Sequence, residues 1–388
     1  MRSAIDEPMS KVDSNADVKR GLEGVIVAES RVCYIDGIKG RLYYRGYGIG
    51  DIAKNCSFEE AAYLLLYSKL PNRRALHSFS VELRRRRNLP QRIVEMMRTF
   101  SKSMTSMEAL RTAVSALAAD DPDARKVSLE DHLNNGISLI AKMPTIVAYY
   151  YRINRGEEVV KPDPELGHAA NFLYMMTGRV PDKTSARGMD MDMVLHAEHG
   201  FNASSFAVRV TVSTLSDMHS AFTTGVGTLK GPLHGGAAEE VMRMLEEIGY
   251  AKNVDKYVQK ILAGHGRVMG YGHRIYKTYD PRARVLKKMA EEMSKEKENM
   301  RWFEIGERLE VVMEREKGLY PNVDFYSAMV YHHLALPIDI NPSLFAIARS
   351  AGWVAHAAEQ YGDNKLIRPL DRYVGEIDLE FIPLNKRK

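Results

Sequence analysis

The chain has 388 residues, of which 45% are hydrophobic and 27% charged, the composition of a globular protein with a sizeable core rather than a disordered or fibrous one. The formal net charge is +5, with 55 Lys and Arg spread among 50 Asp and Glu. A mild, dispersed excess of this kind argues against a dedicated nucleic-acid binder and suits an enzyme with anionic substrates. Two cysteines, Cys33 and Cys56, form no metal or disulfide pattern, which points to a reducing, cytoplasmic setting.

In chain order, residues 1–20 read as a flexible polar arm without the apolar core of a signal peptide. Strand signals follow at Val25 to Val27 and Arg31 to Ile35. Asp36-Gly37 is a hairpin turn, and Arg41 to Tyr44 is the returning strand. Beyond this the pattern is helical. Ser57 and Glu60 make a capping box, and the helix they open is predicted to stop at Leu70-Pro71. Arg84 to Arg87 is a charge run expected on a solvated helix face. Thr105 and Glu108 make a second capping box, followed by Met107, Leu110, Val114 and Leu117 at helical spacing. The most apolar stretch, 139–151, carries Lys142 and Pro144 and is shorter than the ~20 residues of a membrane span.

One long helix is predicted over 204–228. An amphipathic one over 237–248 stops at Gly249. Others are predicted at 254–263, 282–295, 301–314, 324–336 and 342–360. The fold class is therefore mainly α with a small N-terminal β-hairpin.

No nucleophile elbow, phosphate-binding loop or HExxH zinc motif is present. His196 and His199 are spaced to share a helix face, but no third ligand follows at metal spacing, so hydrogen-bonded histidines are the better reading. His234 lies between Gly-Pro-Leu and Gly-Gly, just before the amphipathic helix. The positive helix end disfavours an imidazolium there, which predicts a neutral donor. His273 follows Gly270-Tyr271-Gly272. Asp324, after Tyr320-Pro321-Asn322-Val323, is either a helix cap or a carboxylate available for chemistry. Arg349 and Arg368 stand in apolar surroundings and call for an anionic partner, structural or substrate.

Taken together and in this order, these segments resemble the citrate synthase family. They are Gly231 to Gly236, Gly270 to His273, Asp280-Pro281-Arg282, Pro321 to Asp324, Phe345 to Arg349, and Ile367-Arg368-Pro369. Ile35 to Tyr47 resembles the shorter prokaryotic members, and the likeness runs from about 21 to 375. The resemblance implies a two-domain helical fold that assembles as a homodimer. The large domain would span 21–235 and 335–388, and the small domain 236–334. It implies condensation of acetyl-CoA with oxaloacetate at the entry to the tricarboxylic acid cycle, with no metal or redox cofactor. Propionyl-CoA, as in a 2-methylcitrate synthase, is an alternative donor; a non-catalytic scaffold is a more distant one.

By the same resemblance His234, His273 and Asp324 are catalytic. His199, Arg282, Arg349 and, from the partner subunit, Arg368 bind oxaloacetate. Arg267, Val268, Met269, Gly270, Tyr271, Gly272 and Lys277 line the coenzyme A path. Asp324 would take the α-proton while His234 stabilises the enol, and His273 would act on the keto oxygen.

Overall fold

The computed structural model describes residues 18–126, 128–234 and 237–387. Three short antiparallel strands, β1 (Cys33–Asp36), β2 (Arg41–Tyr44) and β3 (Tyr47–Gly48), form one sheet in sequence order. The hairpin turn is closed by Asp36, whose Oδ1 accepts the N–H of Ile38 (3.1 Å) and Lys39 (2.8 Å). At Gly37 a Cβ would collide with the Ile275 carbonyl, and the Gly37 oxygen accepts the Lys277 N–H at 2.9 Å. Glycine lets the turn press on the segment after His273.

Sixteen α-helices follow among the described residues. They are α1 (Ile49–Asn55), α2 (Phe58–Tyr67), α3 (Arg73–Arg85), α4 (Gln91–Arg98), α5 (Ser106–Leu117), α6 (Leu129–Asn154), α7 (His168–Thr177), α8 (Lys183–His196), α9 (Ala203–Ser213), α10 (Met218–Leu229), α11 (Ala237–Ile248), α12 (Val254–Ala263), α13 (Pro281–Glu296), α14 (Arg301–Lys317), α15 (Val323–His333) and α16 (Asn341–Gly362). None is long and apolar enough to cross a membrane. Both capping boxes form as expected, Ser57 with Glu60 and Thr105 with Glu108.

Several expectations are corrected. Val25 to Val27 form no strand; Ile26 is 90% exposed, and β-propensity without a pairing neighbour makes no ladder. Helix α2 ends at Tyr67, where Ser68 turns left-handed (φ 62°), ahead of the proline. The single helix over 204–228 is two, α9 and α10. Leu215 adopts φ 63°, and Asp217 caps α10 through the Ser220 N–H. Apolar spacing continues across a break that only these backbone angles reveal.

Of the arginine run, only Arg85 is exposed. Arg87 is 1% exposed, and its Nη1 donates to the carbonyls of Asp163 (3.0 Å) and Leu166 (2.9 Å). It anchors a loop instead of facing water. His196 is the last residue of α8 and His199 lies beyond it, so the two share no helix face.

Residues 30–366 form one compact unit. Its centre is α16, which packs on α2, α5, α6, α8, α9 and α10. Trp353, Ala355 and Ala357 are fully buried on it, and the small residues bring neighbouring helices close. Helices α11 to α15 pack mainly among themselves, with α13 also against α1 and α8, and α15 against α8. The other unit, described at 18–29 and 367–387, has only two single-turn 3₁₀ segments. It exposes Ile26, Val374, Ile377, Phe381 and Leu384.

Candidate active site

The turn after α8 is organised by a strand residue. Tyr44 of β2, fully buried, donates its hydroxyl proton to the Glu198 carbonyl (2.9 Å) and accepts the Glu198 N–H (3.1 Å). This sets His199, whose Nε2 lies 3.1 Å from the Tyr276 hydroxyl and whose ring centre is 5.2 Å from that of His273. Burial holds His199 well below the usual histidine range, helped by Arg282 and His273.

Backbone donors fix two tautomers. His273 Nδ1 accepts the N–H groups of Ile275 (2.9 Å) and Tyr276 (3.2 Å), so the ring proton sits on Nε2. His234 Nε2 accepts the Ser204 N–H (3.2 Å), so its proton sits on Nδ1. Ser204 Oγ lies 3.0 Å from the same Nε2 and accepts from Trp353 Nε1 (3.2 Å). Burial, then Arg282, lowers His273 to about 4; burial, then Arg349, lowers His234 to about 4. Each is a neutral imidazole with one directed N–H. For His234 burial and a nearby guanidinium favour the expected neutrality. The two glycines that follow lie outside the described residues.

Asp324 is not the cap of α15. Asn322 is, its Oδ1 accepting the Asp324 N–H at 3.1 Å, which leaves the Asp324 carboxylate uncommitted to the helix end. Burial raises its pKa, against the pull of His196 and Arg282. Asp280 caps α13 and also accepts the Val323 N–H (3.2 Å). The loop carrying His273 is stitched to the residues before Asp324. Gly272 N–H donates to the Tyr320 carbonyl (3.0 Å), and Asn322 N–H donates to that of Gly270 (2.9 Å).

The arginines differ in their partners. Arg282, 3% exposed, makes a two-pronged pair with Asp280 through Nε (3.1 Å) and Nη2 (2.8 Å). Arg349, 1% exposed, donates Nε to the His196 carbonyl (2.7 Å), while neither Nη has a hydrogen-bond partner among the described residues. Its guanidinium lies 4.8 Å from the Phe345 ring centre, and the rings of His196 and His234 also face Phe345, at 4.9 and 6.2 Å. Glu198 supplies a nearby negative charge, and the two open N–H corners have the geometry to take a carboxylate.

Of the coenzyme-path residues, Arg267 and Lys277 are exposed and Val268 and Gly270 are buried. Met269, Tyr271 and Gly272 are half-buried, with the Tyr271 hydroxyl buried and without a hydrogen-bond partner among the described residues. Arg368 is exposed and belongs to the unit containing 367–387. Residues 30–366 therefore bring His199, His234, His273, Asp324, Arg282 and Arg349 into one electrostatic cluster. Sequence reading missed Tyr44, Tyr276, Ser204 and Asn322. Ser204 and Asn322 carry a signal, the small polar residues of a helix start, which reads as capping alone.

Residues 21–370 match the family described as citrate synthase, C-terminal domain. A citrate synthase of Haloferax volcanii is 46% identical over 378 residues, 96% of this chain and 100% of that protein. A 2-methylcitrate synthase of Corynebacterium glutamicum is 37% identical, over 96% of this chain and 100% of its own length. Pyrobaculum aerophilum citrate synthase superposes with a TM-score of 0.91 at 38% identity, covering 98% of this chain and all of that one. The Thermoplasma acidophilum enzyme, solved with carboxymethyl coenzyme A and oxaloacetate, gives 0.89 at 35% identity, over 96% and 100%. Likeness of this extent, in sequence and in backbone, means that the chain belongs to the citrate synthase family.

Proposed function

We propose that the chain condenses acetyl-CoA with oxaloacetate and water to give citrate and coenzyme A, and that Asp324 takes the methyl proton. The observation that carries this reading is Arg349, buried with both Nη groups free beside the neutral histidines. It supports an anionic acceptor held where two imidazole N–H groups are available. His234 Nδ1–H donates to the thioester carbonyl and stabilises the enol as Asp324 removes the proton. The enol carbon attacks the keto carbon of oxaloacetate, and His273 Nε2–H donates to the oxygen that becomes a hydroxyl. Water then cleaves the thioester, releasing coenzyme A. His199, Arg282 and Arg349 orient the acceptor, with Arg368 supplied by a partner subunit. Arg267 to Gly272 and Lys277 run along the coenzyme. This course uses the chain's own side chains and calls for no cofactor.

The domain division at 236–334 and a homodimer belong to the same proposal. Preferential packing of α11 to α15 among themselves supports the first. The exposed apolar side chains of 367–387 support the second, since a partner chain would cover them. Two free cysteines suit a cytoplasmic location.

The test is coenzyme A release with oxaloacetate, comparing acetyl-CoA with propionyl-CoA. The expected result is a higher kcat/KM for acetyl-CoA, the donor implied by the more similar relatives. Preference for propionyl-CoA would move the chain to the 2-methylcitrate branch, and release with neither would reject the reading.

A further inference from the structure

Asp192 and His196 stand one turn apart on α8, at a spacing that puts both on one face. Asp324, Ser327 and Tyr331 stand at i, i+3 and i+7 on α15, also on one face. The two faces meet. The Tyr331 hydroxyl donates to Asp192 Oδ2 at 2.5 Å, and His196 Nδ1 lies 3.0 Å from the Asp192 carbonyl and 3.4 Å from Oδ2. Asp192 is fully buried and Tyr331 is 2% exposed, while Asp192 Oδ1 has no hydrogen-bond partner among the described residues. A buried carboxylate with one idle oxygen is a poor structural choice, because its desolvation outweighs what a single hydroxyl returns. A neutral side chain would hold Tyr331 at lower cost.

We propose that Asp192 is a positioning residue for the proton-abstracting carboxylate, fixing α15 through Tyr331 and holding the His196 ring beside Asp324. This rests on the assignment of Asp324 as the base. The charged and titratable groups that act on Asp324 include His196 and Asp192 from α8, Arg282 and Asp280 from the start of α13, and Tyr331 on its own helix. His196 and Arg282 favour its ionised form, and Asp192 and Asp280 oppose it. Asp192 therefore keeps the base more basic as well as in place, which a purely structural link would not do.

The experiment compares Asp192→Asn, Tyr331→Phe and Asp324→Asn in the full chain, measuring kcat, both KM values, oxaloacetate binding by calorimetry and the pH profile of kcat. Misplacing a reacting group by ~1 Å costs up to about 10²-fold. The expected result for Asp192→Asn and Tyr331→Phe is therefore a kcat lowered roughly 10- to 100-fold, with oxaloacetate affinity kept. In Asp192→Asn the acid limb should move to lower pH, because removing a negative neighbour lowers the carboxylate pKa. Unchanged kcat in both, with Asp324→Asn inactive, overturns this inference alone. Full activity in Asp324→Asn removes the base assignment and this inference with it. If Asp192→Asn does not fold, Tyr331→Phe, which loses one hydroxyl, decides the matter by its kcat and oxaloacetate affinity.

Discussion

At the scale of single residues the chemistry depends on which atom of each side chain is left over after the fold has used the rest. His234 gives Nε2 to Ser204, and His273 gives Nδ1 to two backbone N–H groups; what remains in each is one N–H. Asp324 keeps its carboxylate because Asn322 does the capping. Asp324→Asn and His234→Ala should each lower kcat by about 10²–10⁴-fold, the usual cost of losing a positioned acid or base. Oxaloacetate binding should survive in both, since the arginines are untouched. Calorimetry together with the coenzyme A assay checks this; loss of oxaloacetate binding with kcat preserved would reverse the assigned roles.

Among the elements, α16 does the most to place the site. It carries Phe345 and Arg349 toward the histidines and His356 toward Glu198, which it meets at 2.9 Å. Gly352 lies between these contacts, and its N–H donates out of the helix to the Ala197 carbonyl at 3.1 Å. A Cβ there would strike both that carbonyl and Glu198 Oε2. Gly352→Ala should therefore destabilise by about 1–3 kcal/mol, the range for overpacking a tight interior, and should lower kcat by displacing the turn that holds His196 and His199. Urea unfolding and steady-state kinetics on the same sample test it. Unchanged stability would show that α8 and α16 can separate freely at this point.

For the molecule as a whole, the neutral histidines make stability depend on pH. His168 is held at about 3, and His234, His273 and His333 at about 4, burial being the largest cause in each. These folded-state values lie below the ordinary histidine value of 6.5. Their contribution is present above that pH and is lost as pH falls toward 4, because the unfolded chain takes up protons the fold refuses. Asp190, raised to about 7 by burial and by Glu59, acts in the opposite direction across the same window. His199, His219 and His332 are lowered as well, and Asp324 is raised, so seven histidines stand against two aspartates, a net loss on acidification. The melting temperature should drop between pH 7 and pH 5, and a flat or rising profile would contradict it.

The proposed dimer makes a second whole-molecule prediction. Co-expressed Asp324→Asn and Arg368→Ala chains should recover about a quarter of full activity, because a closed two-fold dimer gives half the pairs one intact site. Recovery no greater than the parent mutants, with mixed dimers present by mass spectrometry, would place Arg368 in its own subunit.

Local chemistry was legible in the sequence because its partners are close in the chain. Both capping boxes span three residues, the Asp36 turn spans three, and the stop at Gly249 is one residue's backbone preference. The motifs around His234, His273 and Asp324 were legible only as a set, through their order and their resemblance to the citrate synthase family. Tertiary structure decided the rest, where partners are remote. Arg87 is buried by carbonyls more than 70 residues away, Tyr44 sets a turn over 150 residues on, and Ser204 orients His234 from 30 residues back. It also separated two arginines of similar appearance. Arg282 has Asp280 two residues away, whereas Arg349 ends with two bare N–H corners. A sequence records which groups exist, but a group is free to bind substrate only after every competing partner has been placed, and the fold places them.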